Sequence, residues 1–473
     1  MDLHISLVGR RDLTGEIYRQ IRGAILEGRL RHGDPLPPSR ELARRLSVSR
    51  TTVMVAYDRL IGEGFVATRV GAGTFVGHDI PTAAGRPSPA PPTLAAQPVW
   101  DGIPLLGVFV DEAVYDFRSG MPDTSMFPFQ TWRRLVAREL RPDGAGGRPY
   151  GDPAGHPGLR VAIARHLATS RDVVTRAEDV TVTNGTQQAM DLVARVLLAP
   201  GDEVAVEDPG YEPVRRLFES LGMRVRGVPV DREGLVVDAL PEGARLVSVT
   251  PSHQFPLGVP LSLPRRIALL DWARRHDAAI VEDDYDSEFR HGGRPIEPLQ
   301  TLDREGRVVY VGSFSKTMLP SLRVGFVVAP APLRHALSAA RYVTDWHTAL
   351  PTQAALARFL DEGWFVRHIR RVRAVYEERH RRIVDVLARD FAGLLEAVPS
   401  VTGLHLAALA PGASPAEIAG VADRAADSGV EVQRLAACGV EGPGPAGLVL
   451  GFGAIATGDI EEGLRRLRAA FDG

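Results

Sequence analysis

From residue 115 onward the chain alternates short apolar runs with longer amphipathic stretches, and this alternation narrows the fold more than any other feature. Residues 180–183, 203–206, 245–250, 278–281 and 307–311 are rich in β-branched and apolar side chains, as strands buried on both faces are. Between them, residues 187–198, 212–221 and 264–276 repeat apolar side chains at helical spacing. Parallel neighbours need a crossover long enough for a helix, so this succession predicts an α/β body over 115–473 with a mostly parallel sheet covered by helices. From about residue 355 the pattern mixes helices with short strands, which predicts a smaller C-terminal lobe over 355–473. Ligands of such sheets bind beyond the C-terminal ends of the strands.

One of those ends carries Lys316, the only lysine in the chain; the other 55 basic residues are arginine. Arginine serves almost every surface role of lysine, but a guanidinium cannot condense with an aldehyde. A lone amine after the turn Gly312-Ser313-Phe314-Ser315 therefore points to covalent work. At another strand end stand Glu282, Asp283, Asp284, Tyr285 and Asp286. Either one carboxylate there pairs with a ring nitrogen, or the acids together hold a hard cation. Asn184, Gly185, Thr186 and Gln187 join a strand to a helix, where free N–H groups and the helix dipole suit a phosphate, with Ser313 and Arg323 as further donors. Tyr211 follows Asp208-Pro209-Gly210 and either stacks on a planar ligand or belongs to the core. An aldehyde-reactive amine, a carboxylate for a pyridinium and a phosphate cradle form the protein side of a pyridoxal phosphate site.

The first 77 residues differ from the rest. They carry twelve arginines against eight acidic residues, whereas the remainder is net acidic, so an anionic partner is expected for this part. Ile17, Ile21, Ala24 and Ile25 mark a helix over 14–27; residues 39–46 form a second, and Ser49 caps a third that runs to about residue 63. This pattern fits any small three-helix domain, and it also fits a helix-turn-helix, whose second helix enters the major groove by its N-terminal residues, here Arg50, Thr51 and Thr52. Residues 65–76 alternate around Gly71-Ala72-Gly73 as a two-stranded wing does. Residues 78–114 are rich in Pro and Ala and read as a linker. The single cysteine, Cys438, excludes intramolecular disulfides and cysteine-built metal sites. No leader and no apolar run of about 18 residues is visible, so a cytoplasmic protein without a membrane segment is expected.

Residues 12–77, through Pro37-Pro38-Ser39-Arg40-Glu41-Leu42-Ala43, Val48-Ser49-Arg50-Thr51-Thr52-Val53 and Gly71-Ala72-Gly73-Thr74-Phe75-Val76, resemble the winged helix-turn-helix of GntR-type bacterial repressors. The resemblance implies that Arg40, Arg50 and Thr52 touch double-stranded DNA, that Gly71 and Gly73 let the wing approach the backbone, and that Arg44 and Arg69 are weaker contacts. The body, through Tyr150-Gly151-Asp152-Pro153-Ala154-Gly155, Asn184-Gly185-Thr186-Gln187, Asp208-Pro209-Gly210-Tyr211, Thr250-Pro251-Ser252-His253-Gln254 and Gly312-Ser313-Phe314-Ser315-Lys316, is similar to fold-type I aminotransferases. Together they resemble the MocR subfamily of transcription regulators over essentially the whole chain. That resemblance implies pyridoxal 5′-phosphate bound as an aldimine on Lys316, with Asp283 facing the pyridine nitrogen and Tyr285 bonding O3′. It implies Gly185, Thr186, Ser313 and Arg323 on the phosphate and Tyr211 stacked on the ring. Tyr150 would reach in from the second subunit of a homodimer, and His253 or Gln254 would stand where aminotransferases place an asparagine.

One departure bears on activity. Aminotransferases grip the substrate carboxylate with a C-terminal arginine, and in Gly447-Leu448-Val449-Leu450-Gly451-Phe452 that place reads as Leu448, with Arg434 as an open substitute. Losing such a pair costs roughly 1.5–3 kcal/mol. The sequence therefore reads as a DNA-binding regulator that senses pyridoxal phosphate itself or, as second choice, an amino compound such as a GABA-like or taurine-like amine. The alternative is a working aminotransferase that carries a DNA-binding head.

Overall fold

The computed structural model describes residues 5–7, 12–69, 71, 73–77, 95–103, 113–147, 149–292 and 297–472. It divides into two compact units, residues 1–97 and 98–473. Most of the linker expected over 78–114 lies outside the described residues, and Pro98–Trp100 forms a short 3-10 turn within the second unit.

In the first unit, α1 (Leu13–Leu26), α2 (Ser39–Leu46) and α3 (Arg50–Gly62) accompany a small antiparallel sheet of β1 (Pro35–Leu36), β2 (Val66–Arg69) and β3 (Gly73–Val76), in the order β1-β3-β2. The apolar stripe of α1, Ile17, Ile21, Ala24 and Ile25, is buried in one cluster with Val53, Ala56, Tyr57 and Leu60 of α3. Ser49 starts α3 by accepting the Thr52 N–H at 3.0 Å, and Ser47, in the left-handed region at φ 55°, turns the chain between α2 and α3. The turn between β2 and β3 needs the same backbone region twice, at Gly71 (φ 77°) and Gly73 (φ 109°).

The second unit begins with β4 (Tyr115–Asp116), α4 (Phe129–Glu139), α5 (Pro157–Ser170), β5 (Val180–Thr183) and α6 (Thr186–Leu197). It continues through β6 (Glu203–Asp208), β7 (Arg224–Asp231), β8 (Gly234–Leu235), β9 (Ala244–Val249), β10 (Ala279–Asp284), β11 (Val308–Ser313) and β12 (Gly325–Val328). The main sheet has the order β5-β12-β11-β10-β9-β6-β7-β8. The run β11-β10-β9-β6-β7 is parallel, whereas β12 is antiparallel to both neighbours and β8 is antiparallel to β7. The mostly parallel sheet is thus present, and the exception has a cause. The connection between β11 and β12 holds only the 3-10 turn Pro320–Leu322, too short to cross the sheet, so the chain doubles back. Successive side chains of β6 alternate between two helix-covered cores: Val204 and Val206 pack with Met190, Val193 and Phe218, and Ala205 packs with Leu269 and Trp272.

A second sheet, of strands Glu396–Ala397, His405–Leu409, Gly447–Gly451 and Gln433–Arg434 in that order, is backed by the helices Trp364–Asp390, Pro415–Asp427 and Ile460–Ala469. β4 joins this lobe by pairing with Val430–Glu431, and Phe117 and Met126 enter its core. The helix Leu350–Asp361 packs instead with the large part, through Ala355, Leu356 and Phe359 against Phe127, Trp132 and Leu159. Among the described residues no helix is long and apolar enough to cross a membrane.

The register that matters most runs across β5, β12 and β11, where Thr183, Gly325 and Ser313 stand side by side. A Cβ at Gly325 would lie 2.9 Å from Gly185 Cα and 3.0 Å from Gly312 O, so only glycine lets these backbones meet. Gly325→Ala is expected to cost about 1–3 kcal/mol of stability by forcing the strands apart, read as a lowered denaturation midpoint of the full chain.

Candidate functional site

β5, β6, β9, β10 and β11 all run the same way, so the residues that follow them gather at one edge of the sheet. Strand alternation then sorts the acids at the end of β10. Asp284 points to one face, where it takes Arg171 Nε at 2.8 Å and Tyr310 Oη at 2.5 Å; all three side chains are buried. Glu282, on the same face, accepts the backbone N–H groups of Leu299 at 2.8 Å and Gln300 at 2.9 Å. Asp286 lies 3.0 Å from His253 Nδ1 and accepts Leu404 N–H. Asp283, on the opposite face from Asp284, is buried, and its Oδ1 has no hydrogen-bond partner. Burial and the nearby charges of Asp284 and Asp286 push its carboxyl up to about 8. A hard-cation site needs several oxygens converging. Here Glu282, Asp284 and Asp286 are each engaged elsewhere, so these acids do not converge on Asp283 as such a site requires.

Lys316 lies in the β11–β12 connection and donates from Nζ to Gly120 O at 2.7 Å. Burial lowers its ammonium from the ordinary value, while Asp286 and Asp283 work the other way. Arg323, held in the left-handed region at φ 50°, donates to Asn184 O at 2.9 Å. It thereby sits against Gly185, where a Cβ would come within 2.7 Å of its Nη2. Gly185 (φ 81°) is the N-cap of α6 and offers no side-chain acceptor to the first N–H groups of that helix, those of Thr186 and Gln187. Ser313 hydrogen-bonds Ser315 across this turn at 3.0 Å. A bare helix N-terminus and a guanidinium therefore meet at Gly185, an arrangement that suits an anion, with the Ser313–Ser315 pair at the end of β11 on the same edge.

Tyr211 remains 46% exposed, packs edge-on against Phe255 with ring centres 5.5 Å apart, and lines one cavity with Asp283 and Glu207. Tyr285 Oη donates to His253 O at 3.0 Å. His253 itself stacks on Tyr285, and its Nε2 is buried without a partner. Gln254 is fully occupied by its own loop: Nε2 gives to Pro209 O and Phe255 O, and Oε1 accepts Leu257 N–H. Of the two residues considered beside the ring, His253 is the one facing Tyr285. Tyr150 is 76% exposed and stacks on Trp346 with ring centres 4.6 Å apart.

In the first unit Arg40, Arg44 and Arg50 are exposed and form no ion pair among the described residues. Arg19, Arg29, Arg45 and Arg59 are each neutralised by a nearby acid. Arg69 lies over the Phe75 ring at 5.3 Å. Thr52 is partly engaged with Ser49, its Oγ1 at 2.7 Å from Ser49 Oγ.

Comparison with known proteins assigns both parts. Residues 13–76 match the gntR family of bacterial regulatory proteins, and residues 113–442 match the aminotransferase class I and II family. The chain is 39% identical to the probable rhizopine catabolism regulatory protein MocR of Rhizobium meliloti, over 96% of this chain and 93% of that one. This protein belongs to the MocR-type GntR regulators. The pyridoxine biosynthesis regulator PdxR of Corynebacterium glutamicum is 36% identical over 79% of this chain and 78% of its own. Among solved structures, α-aminoadipate aminotransferase LysN of Thermus thermophilus superposes with a TM-score of 0.70 at 32% identity, covering 76% of this chain and 93% of that one.

Within this MocR-type body one expectation needs correction. Leu448 faces away from the strand-end cluster: it is fully buried in the helical core of the small lobe, with Leu406, Ala408 and Leu450. Strand alternation turns its neighbour Val449 to the other face, against Leu257, Val259 and Ala407. Arg434 pairs with Leu448 across the ladder, on the edge strand, and is exposed. The strand thus presents Val449, not a cation, toward the large part. Sequence reasoning also missed Gly120, Arg171 and Glu207. Gly120 touches Lys316 across 196 residues and looks like any turn glycine; Arg171 is one of 55 arginines.

Asp284→Ala would take from the buried Arg171 guanidinium the carboxylate that meets it at 2.8 Å and is expected to cost about 3–5 kcal/mol, whereas Asp283→Ala removes a carboxyl whose Oδ1 bonds nothing and should leave the ligand-free protein no less stable. Chemical denaturation of both variants distinguishes them. At neutral pH Asp283 (raised to about 8) is mostly protonated and Glu207 (raised to about 7) about half protonated in the fold, whereas both are ionised in the unfolded chain. Their stabilising contribution is complete below the unfolded carboxylate value and is lost as pH rises through 7 and 8. The melting temperature of the cofactor-free protein should fall over roughly pH 5 to 8, and less steeply in Asp283→Asn.

Proposed function

We propose that this regulator holds pyridoxal phosphate on Lys316 and uses its binding to alter how the winged helix grips an operator. The observation that carries this reading is Asp283 Oδ1, a buried acceptor without a donor, in the same strand-end cluster as the lone lysine amine. A carboxyl held near 8 stays protonated until a cation stands opposite it; a pyridinium nitrogen is such a cation, and meeting it returns Asp283 to the ionised form. When bound, the cofactor supplies an aldehyde and an electron-accepting ring. Every other role belongs to the chain. Burial lowers the Lys316 ammonium toward the neutral amine that an aldehyde needs, and Gly120 O orients it. Gly185, Thr186, Ser313 and Arg323 would hold the phosphate. Tyr285, steadied by His253, would serve the ring hydroxyl, with Tyr211 covering the ring. LysN is described as a complex with a phosphopyridoxyl leucine, which supports carrying this ligand class over to a related body.

A homodimer of the bodies accounts for Tyr150. This residue, Tyr342 and Val343 are 76%, 52% and 76% exposed, and both tyrosines pack on Trp346, an aromatic patch suited to a second copy. The signal we favour is pyridoxal phosphate itself. Val449 on the inward face of the small-lobe strand gives an amino-acid carboxylate no bidentate partner there, which also weighs against efficient transamination. Residence in the cytoplasm follows from a DNA target.

Two variants test the reading. Purified protein given pyridoxal phosphate should gain a visible absorbance band, and borohydride should fix the ligand at position 316; Lys316→Ala should lack both. Arg50→Ala should weaken operator binding by about 1–3 kcal/mol while its absorbance stays that of the parent. Protein that remains colourless, or steady turnover of an amino donor with a keto acid, would count against the sensor and, in the second case, for an enzyme.

A further inference from the structure

Among the described residues of the first unit, the large hydrophobic side chains left exposed are Met54 and Val55, at 41% and 51%, and both belong to α3. The buried side of this helix is Val53, Ala56, Tyr57 and Leu60. Met54 lies four residues after Arg50 and three after Thr51, so these three side chains form one outward patch on the N-terminal half of the helix. A helix face kept only for water carries polar residues there. Arg50, one turn before Met54 on the same helix, is exposed and forms no ion pair among the described residues, and α2, which packs on α3, carries Arg40 and Arg44 in the same condition. The paired arginines Arg19 and Arg59 belong to a different group of contacts, on α1 and at the end of α3 with Glu63.

An apolar patch beside an uncompensated cation, on a helix packed against another that carries two more, fits a polyanion that displays methyl groups on its readable edge. In the major groove only thymine does so, through its C5 methyl. We propose that Met54 is a specificity-determining residue that packs on a thymine methyl, beside the base or phosphate engaged by Arg50. This inference rests on the DNA-binding reading and is independent of the cofactor. It assigns sequence preference to a side chain that makes no hydrogen bond, so its contribution is separable from the phosphate contacts of the arginines.

The test uses the full chain and an operator recovered by selection from randomised duplexes. Each thymine is replaced in turn by deoxyuridine, which removes the methyl and leaves base pairing intact, and affinity is measured at fixed salt. At one thymine per half-site the parent protein should lose affinity about threefold to fivefold, the value of burying one methyl-sized group. Met54→Ala should bind the unmodified operator more weakly by a similar factor, become indifferent to uracil at that position, and keep the parent's dependence of affinity on salt. Met54 is exposed, so its truncation should leave the melting temperature unchanged. The proposal is overturned if no uracil substitution affects the parent, or if Met54→Ala keeps the parent's uracil sensitivity. It is equally overturned if Met54→Ala changes the sedimentation of DNA-free protein, which would make the patch a contact between copies. A pool in which no sequence is enriched removes the DNA-binding reading and this proposal with it.

Discussion

The candidate site depends on how β10 ends. Asp283 and Asp284 are adjacent in the chain, and the pleat of a strand sends them to opposite faces. Asp284 is anchored in a buried set with Arg171 and Tyr310, the guanidinium arriving from beyond the end of α5. That anchor fixes the height of the strand end and therefore the height of Asp283 on the other side. A carboxylate buried without a donor is costly, and a fold keeps one only where surrounding structure over-determines it. Here the ladder to β9 and β11 and the ion pair beneath do so.

The amine is positioned by a different device. Between β11 and β12 the chain lacks the length for a crossover helix and doubles back, so the connection stays at the strand-end edge and carries Lys316 with it. The same reversal places Arg323 next to Gly185, and glycines at 185, 312 and 325 allow three backbones to approach closely there. Small side chains, not polar ones, set this geometry. Polar groups then occupy the gaps the glycines leave open.

Much of this was legible beforehand, for a physical reason. Strands buried on both faces and their crossover helices write strong periodic patterns, so the order of elements was readable, and the sheet rule then told which residues to examine. Lysine in an arginine-only background singled out one residue, and the structure places its amine at the strand-end edge beside Gly120. Partners distant in sequence were not readable. Gly120 reaches Lys316, and Asp286 reaches Leu404, through tertiary packing that leaves no local trace. Which of four neighbouring acids lacked a partner was equally invisible, because it depends on Arg171, Leu299 and His253 arriving from elsewhere.

The misplacement of Leu448 shows how sharp such limits are. In a strand a shift of one residue reverses the face, so an assignment off by one residue exchanges the helical core of the lobe for the wall that looks toward the large part. Val449 on that wall changes what a ligand would meet there. The absent arginine is not a vacancy beside the site that another cation fills; it is an apolar contact with Leu257, Val259 and Ala407 that holds the small lobe against the loop carrying His253. A charged side chain at 449 would have to break that packing. The inward face of this strand is therefore committed to apolar seating of the lobe, and between the glycines at 447 and 451 it carries Val449 where a cation would have to stand.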